Sequence, residues 1–104
     1  QPEVYALSLN EHNINMNELI LFPNPTNGVF NLNINANEEL KASIKIYNII
    51  GQPIYSNSTN IIQGKNTCKF DISDQSQGVY ILELISVNKK GLKEISILKV
   101  NLIY

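Results

Sequence analysis

The chain has 104 residues, 43% of them hydrophobic, and a net charge of −1, which predicts one folded domain with its own core. It contains no arginine, which argues against a nucleic-acid binder and against a basic membrane-binding patch. Cys68 is the only cysteine, so no internal disulfide or multi-cysteine metal site can form, and no apolar run reaches the roughly 18 residues of a membrane span.

Residues 1–18 are mixed and polar, and we interpret them as a linker to which residues 4–9 could add one edge strand. From Leu19 onward, short β-rich runs alternate with turn signals at the spacing typical of a β-sandwich. The folded domain is therefore predicted to span residues 19–104.

Period-two alternation is clearest where Phe30, Leu32 and Ile34 face one side and asparagines face the other. Similar runs predict about seven strands, at residues 19–22, 29–34, 42–47, 53–56, 68–72, 79–86 and 93–102. Turns are expected at residues 37–39, 51–52, 63–66 and 88–91. The run 79–86 is apolar on both faces, which indicates a central strand. The predicted fold class is all-β, an immunoglobulin-like antiparallel β-sandwich.

The inward faces of these runs predict the core. Its members should be Phe30, Leu32, Ile34, Ile44, Ile46, Cys68, Phe70, Ile72, Tyr80, Leu82 and Leu84.

One motif is the run Phe22-Pro23-Asn24-Pro25-Thr26-Asn27-Gly28. Its two prolines lack backbone donors, so the run cannot lie inside a hydrogen-bonded ladder. Proline followed by asparagine and glycine favours a chain reversal. Taken alone, the run is typical of a well-formed β-turn.

Three later stretches carry further signals. Residues 44–55 contain a strand that ends in Ile46-Tyr47, then a corner at Gly51, then a short second strand. Gly51 should supply a positive φ at the corner. Residues 70–73 are followed by Gly78-Val79-Tyr80, and a side chain at Gly78 is expected to obstruct the start of that strand. The last stretch is the terminal strand, with Lys99 near its end.

These four stretches, in this order and spacing, resemble the C-terminal sorting domain of the type IX secretion system of Bacteroidetes-type bacteria. The resemblance covers residues 21–100. It departs from the family pattern in two places: Gln75 stands near the position of a leucine that fills the core, and residues 101–104 extend past the usual terminal lysine.

The resemblance implies a C-terminal signal that directs an attached cargo protein through the type IX system. The partners would be the upstream cargo domain, the outer-membrane translocon and its sorting endopeptidase, which would remove the tail by a cut expected within residues 7–17. The cargo would pass the periplasm and reach the cell surface or the medium. Exposed edge strands would also allow two chains to pair.

We expect the tail to be recognised mainly at residues 93–100 and 78–80, and the turn at 23–28 to be architectural. The candidate motif and recognition residues are Pro23, Asn24, Pro25, Gly28, Tyr47, Gly51, Gly78, Val79, Tyr80, Lys93, Lys99 and Val100.

No catalytic, metal or cofactor site is expected. His12 is the only histidine and lies in the predicted linker, away from Cys68. The close carboxylates Asp71 and Asp74 lie at a turn, where aspartate commonly caps backbone amides, and they are too sparse for a calcium loop.

An alternative function is a carbohydrate- or adhesion-binding sandwich appended to a secreted enzyme. Tyr47 and Tyr55 are predicted on outward faces, where they could stack on a sugar or simply cover a sheet edge. A structural spacer domain is a third alternative.

Overall fold

The computed structural model describes residues 15–104, so the predicted edge strand at 4–9, His12 and most of the predicted cleavage window lie outside the described residues. Within residues 15–104 there are seven strands and no helix. They are β1 (Met16–Phe22), β2 (Val29–Ala36), β3 (Leu40–Tyr47), β4 (Pro53–Ile61), β5 (Gly64–Asp71), β6 (Gly78–Val87) and β7 (Lys93–Leu102).

The strands form two antiparallel sheets. One has the order β1-β2-β5 and the other the order β4-β3-β6-β7. The chain passes between the sheets after β2, β4 and β5, which is a connectivity typical of immunoglobulin-like sandwiches. The predicted all-β sandwich is confirmed, and β6 lies between two partners as its apolar faces predicted.

The core lies between the two sheets and follows the alternation of the sequence. Every residue of the predicted core is buried except Cys68, which is half-buried and packs against the core from β5. Partial burial raises the pKa of its thiol. The rings of Phe30 and Phe70 stack with centroids 5.2 Å apart. Further buried apolar residues outside the predicted set are Met16, Ala36, Leu40, Ala42, Ile61, Leu98, Val100 and Leu102.

Three strand boundaries differ from the predicted ones by three residues or more. β1 begins at Met16, three residues before the predicted start, and β4 continues to Ile61 through polar residues that carry no apolar signal. β5 begins at Gly64, inside the predicted turn at 63–66. This turn is shorter because the Asn66 side chain bonds the backbone of Ile62, at 3.1 Å to its N–H and 2.8 Å to its C=O.

Two hairpins use the same five-residue turn. Asn48 begins the β3–β4 turn and Asn88 begins the β6–β7 turn, and each turn has glycine at its fourth position. In each turn the glycine N–H donates to the asparagine carbonyl, while the asparagine side chain accepts from two later backbone N–H groups. The predicted positive φ at Gly51 is confirmed, at +86°.

Gly28 is the crowded glycine of the fold. Its φ is +136°, and a Cβ at this position would lie 2.5 Å from the Cβ of Ser73. The prediction that a side chain at Gly78 obstructs the start of β6 is wrong, because a Cβ there would meet nothing within 4 Å. Only its φ of +149° disfavours a side chain at Gly78.

A buried polar cluster fixes the start of the described chain. The Asn15 side chain donates to the Ser86 hydroxyl at 3.0 Å and accepts from the Asn88 side chain at 3.2 Å. Its backbone N–H donates to the Glu94 carboxylate at 2.9 Å, and its C=O accepts from Asn37 N–H at 2.9 Å. The beginning of β1 is thereby bonded to the β6–β7 hairpin of the opposite sheet.

We predict that Gly28→Ala destabilises the domain by about 3 kcal/mol, because backbone strain and overpacking each cost about 1–3 kcal/mol. Gly91→Ala is the matched control: φ is +86° there and nothing lies within 4 Å, so about 1 kcal/mol is expected. Urea unfolding measures both losses. Equal losses would contradict the role assigned to Ser73.

Two buried serines provide a second matched pair. The Ser86 hydroxyl accepts from Asn15, whereas the Ser96 hydroxyl is buried without a hydrogen-bond partner among residues 15–104. We expect Ser86→Ala to cost about 1–3 kcal/mol, since it leaves a buried amide unsatisfied, and Ser96→Ala to be neutral or stabilising. A larger fall in the thermal unfolding midpoint for Ser96→Ala than for Ser86→Ala would contradict this prediction.

Candidate recognition surface

The Pro-Asn-Pro segment, residues 23–28, leaves β1 and runs along the outer edge of β7. Thr26 N–H donates to the Asn101 carbonyl at 2.8 Å, and Ile103 N–H donates to the Thr26 carbonyl at 2.9 Å. These bonds form a parallel bridge between Thr26 and Leu102. The segment therefore joins the last strand of the four-stranded sheet to the first strand of the other sheet.

Asn24 extends this contact with its side chain. Its amide donates to the Lys99 carbonyl at 2.8 Å, and its carbonyl oxygen accepts from Asn101 N–H at 2.9 Å. The two peptide bonds that precede Pro23 and Pro25 are cis. An asparagine amide presents a donor and an acceptor in the same way as a backbone peptide, so Asn24 substitutes for a strand residue here.

Thr26 and Gly28 hold the segment in its turn. The buried Thr26 hydroxyl donates to the Val29 carbonyl at 2.7 Å and accepts from Gly28 N–H at 3.0 Å. The Gly28 carbonyl accepts from Ile72 N–H at 2.9 Å, which bonds the turn to the end of β5. These contacts support the architectural role expected for residues 23–28.

Among residues 15–104, no strand or loop bonds to the remaining outer edge of β7. Both backbone groups of Asn101 point away from β6, because they bond to residues 24 and 26. Residues two apart on a strand point the same way, so the peptide groups of Ile95 and Ile97 also point outward. β7 is the last strand in its sheet, and the Pro-Asn-Pro segment covers only its end near residues 99–103. We call residues 93–97 the open stretch.

The β6–β7 outer face lies beside the open stretch and is mostly apolar. Ile95 is directly opposite Ile85, and Ile97 is opposite Glu83, on the side of the sheet away from the core. Lys93 and Lys99 flank these isoleucines on β7. Further outward residues are Val79, Ile81 and Val87 on β6 and Lys41 and Lys45 on β3.

The two tyrosines assigned to outward faces differ. Tyr47 lies on the outer face and donates its hydroxyl to Glu83 at 3.2 Å. Desolvation, and then the Glu83 charge and hydrogen bond, raise the pKa of Tyr47. The outward prediction for Tyr55 is wrong: its ring meets Phe70 edge-on at 5.3 Å. Tyr55 pairs with the inward residue Ile46, and cross-strand partners share a face.

The start of β6 meets the end of the described chain. Tyr80 is buried and donates its hydroxyl to the Ser76 carbonyl at 2.6 Å. Tyr104 N–H donates to the Gln77 side chain, and the Tyr104 hydroxyl donates to the Gln75 carbonyl, both at 2.9 Å. The pKa of Tyr80 is raised by burial and then by its neighbours Tyr104 and Asp74. Gln75 is thus held by backbone contacts where the family pattern has a leucine.

The candidate residues lie in three places. Pro23, Asn24, Pro25 and Gly28 lie in the Pro-Asn-Pro segment at the β7 edge. Val79, Lys93, Lys99 and Tyr47 lie on the β6–β7 outer face or beside it. Gly78 lines a cleft of about 300 Å³ between the start of β6 and the β3–β4 turn, and Gly51 belongs to that turn.

Two candidate residues, Tyr80 and Val100, are 5% and 0% exposed, so they contribute packing and offer no surface to a partner. The apolar outward residues that the candidate set did not name are Ile81, Ile85 and Val87 on β6 and Ile95 and Ile97 on β7, the last two within the expected recognition range 93–100. Their odd positions, alternating with core residues in the sequence, were the signal that could have identified them.

Among residues 15–104, no three His, Cys, Asp or Glu side chains are close enough together to hold a metal ion. In the same range, no helix is present that could cross a membrane. The described residues thus define a β-sandwich module with an exposed sheet edge.

The family model described as the secretion system C-terminal sorting domain matches residues 20–98. The chain belongs to this family, the C-terminal sorting domains of type IX secretion. The family consists of sorting signals and is in general not enzymatic. None of the curated proteins matches the chain.

Two solved structures share the fold. The dimeric latent form of PorU from Porphyromonas gingivalis matches with a TM-score of 0.66 and 20% identity over 82% of this chain, which spans only 9% of PorU. The soluble domain of PmoD from Methylocystis sp. ATCC 49242 matches with a TM-score of 0.61 and 10% identity, over 99% of this chain and 98% of that one. At such identities these likenesses show the fold alone.

We predict that Asn24→Ala exposes the β7 edge and costs about 1–2 kcal/mol, because two hydrogen bonds to residues 99 and 101 are lost. Hydrogen exchange at the Asn101 amide should become faster. Asn27→Ala, in an exposed position of the same turn, is the control and should change neither quantity. Unaltered exchange at Asn101 in Asn24→Ala would show that the side chain does not close the edge.

Proposed function

We propose that this domain directs an attached cargo protein through the type IX secretion system to the cell surface or the medium. The observation that carries the proposal is the family match over residues 20–98. Within residues 15–104, the last strand of the sandwich also has no neighbouring strand on its outer side. The outer-membrane translocon would bind the folded domain by its surface, so the domain would act without chemistry of its own.

The sorting endopeptidase would remove the domain close to the start of the sandwich. Asn15 is fully buried and hydrogen-bonded through its backbone and its side chain, and Met16 begins β1. A protease needs an extended and accessible chain, so we place the cut before Asn15, in the earlier part of the expected window at 7–17.

The carbohydrate-binding alternative has less support. Tyr55 is partly buried and packs against the core, which removes one of the two aromatic side chains that could stack on a sugar. Affinity electrophoresis in polysaccharide gels separates the two functions, because a sorting domain should migrate unretarded.

A reporter fusion tests the proposed function. We expect a reporter with an export signal and this domain at its C-terminus to be secreted by a host that has the type IX system. Deleting residues 93–104 removes β7 and should leave the reporter inside the cell. The Ser96→Ala fusion is the control and should be secreted normally, and a host without the system should secrete neither form. Normal secretion of the truncated fusion would refute the proposal.

A further inference from the structure

We propose that the open stretch of β7 and the β6–β7 outer face bind an extended acidic segment of another protein, which adds to the sheet as a strand beside residues 93–97. This inference rests on the proposed function, because that protein would belong to the export machinery.

The backbone of the open stretch provides the first argument. The peptide groups of Ile95 and Ile97 point away from β6, so each offers a donor and an acceptor at the sheet edge. An extended segment can pair with them without displacing any bond between β6 and β7. Strand addition of this kind derives its affinity from main-chain hydrogen bonds.

The Pro-Asn-Pro segment provides the second argument, because it limits the register. Asn24 and Thr26 already occupy the β7 edge from Lys99 to Ile103. An added strand must therefore end before Lys99. Among the described residues, the family motif thus covers one part of the edge and leaves the open stretch, so an added strand cannot run along the whole of β7.

The outer face provides the third argument, because it supplies side-chain contacts. Ile95 is 44% exposed and lies opposite Ile85, and Ile97 lies two residues further along β7 on the same face. A strand added beside β7 would place every second side chain on this face. Apolar side chains at those positions would cover the isoleucines and remove them from water.

Charge identifies the chemistry of the partner. The outward positions of β3, β6 and β7 carry four lysines and one glutamate, namely Lys41, Lys45, Lys93, Lys99 and Glu83. The acidic residue of β7, Glu94, is buried and its carboxylate accepts from Asn15 N–H. The face is therefore positive, and acidic side chains on the added strand would be attracted to it.

The same charge disfavours a second copy of this chain. Pairing two β7 strands would place two positive faces side by side in one continuous sheet, and like charges on neighbouring strands repel. Edge lysines and an inward-pointing charge such as Glu94 are also common features of edges that resist self-pairing.

The test uses the reporter fusion and the purified 104-residue chain. Ile95→Pro removes an N–H that points away from β6, and Ile95→Thr is its control because it keeps the N–H. Lys93→Glu reverses a charge beside the open stretch, and Lys65→Glu, at an exposed lysine on β5, is its control. Secretion, the unfolding midpoint and the sedimentation coefficient are measured for each.

We expect Ile95→Pro and Lys93→Glu to lower secretion about tenfold or more, and Lys65→Glu to leave it near the unaltered level. Ile95→Thr keeps the N–H but loses part of the apolar contact, so it should lower secretion clearly less than Ile95→Pro. If Ile95→Pro unfolds the chain, the inference is tested by secretion of Lys93→Glu compared with secretion of Lys65→Glu. Normal secretion of folded Ile95→Pro and of Lys93→Glu would overturn the inference and leave the proposed function standing. A dimer that dissociates on Ile95→Pro would also overturn it, because the occupant would then be a second copy.

Discussion

The structure depends on the contact between the Pro-Asn-Pro segment and the last strand. Asn24 and Thr26 bond to residues that follow them by about 75 positions, so the two ends of the domain stabilise each other. This contact joins the two sheets along one side, and it decides how much of the β7 edge remains exposed. The motif most visible in the sequence is thus the one that determines the exposed edge.

The alternation of residues was sufficient to predict most of the sandwich. It identified the inward faces of β2, β3 and β6, and the turn signals at residues 51–52 and 88–91 located two hairpins. The resemblance in four short stretches gave the family that the match over residues 20–98 shows. These features are local in sequence, which is why they can be seen without coordinates.

The rest depends on pairing between distant residues. β4 is polar from Ser56 to Asn60 and is a strand because β3 needs a partner along its whole length. The register of β4 shifts between Ile46 and Tyr47 and leaves Ile54 without a cross-strand partner, so the neighbouring residues Ile54 and Tyr55 both pack against the core, which strict alternation does not predict. The roles of Asn15 and Asn24 could not be predicted, because their partners lie more than 70 residues away.

The position of Asn15 has a consequence for the geometry of export. Asn15 is bonded to Glu94 and to the Leu92 carbonyl, at the beginning of β7. The chain that precedes Asn15 therefore joins the sandwich at the end where β7 begins, close to the exposed Ile95. A receptor bound at this end of the sandwich, as proposed above, would lie beside the junction with the cargo protein. Recognition of the domain and cleavage of the cargo from it would then occur close together.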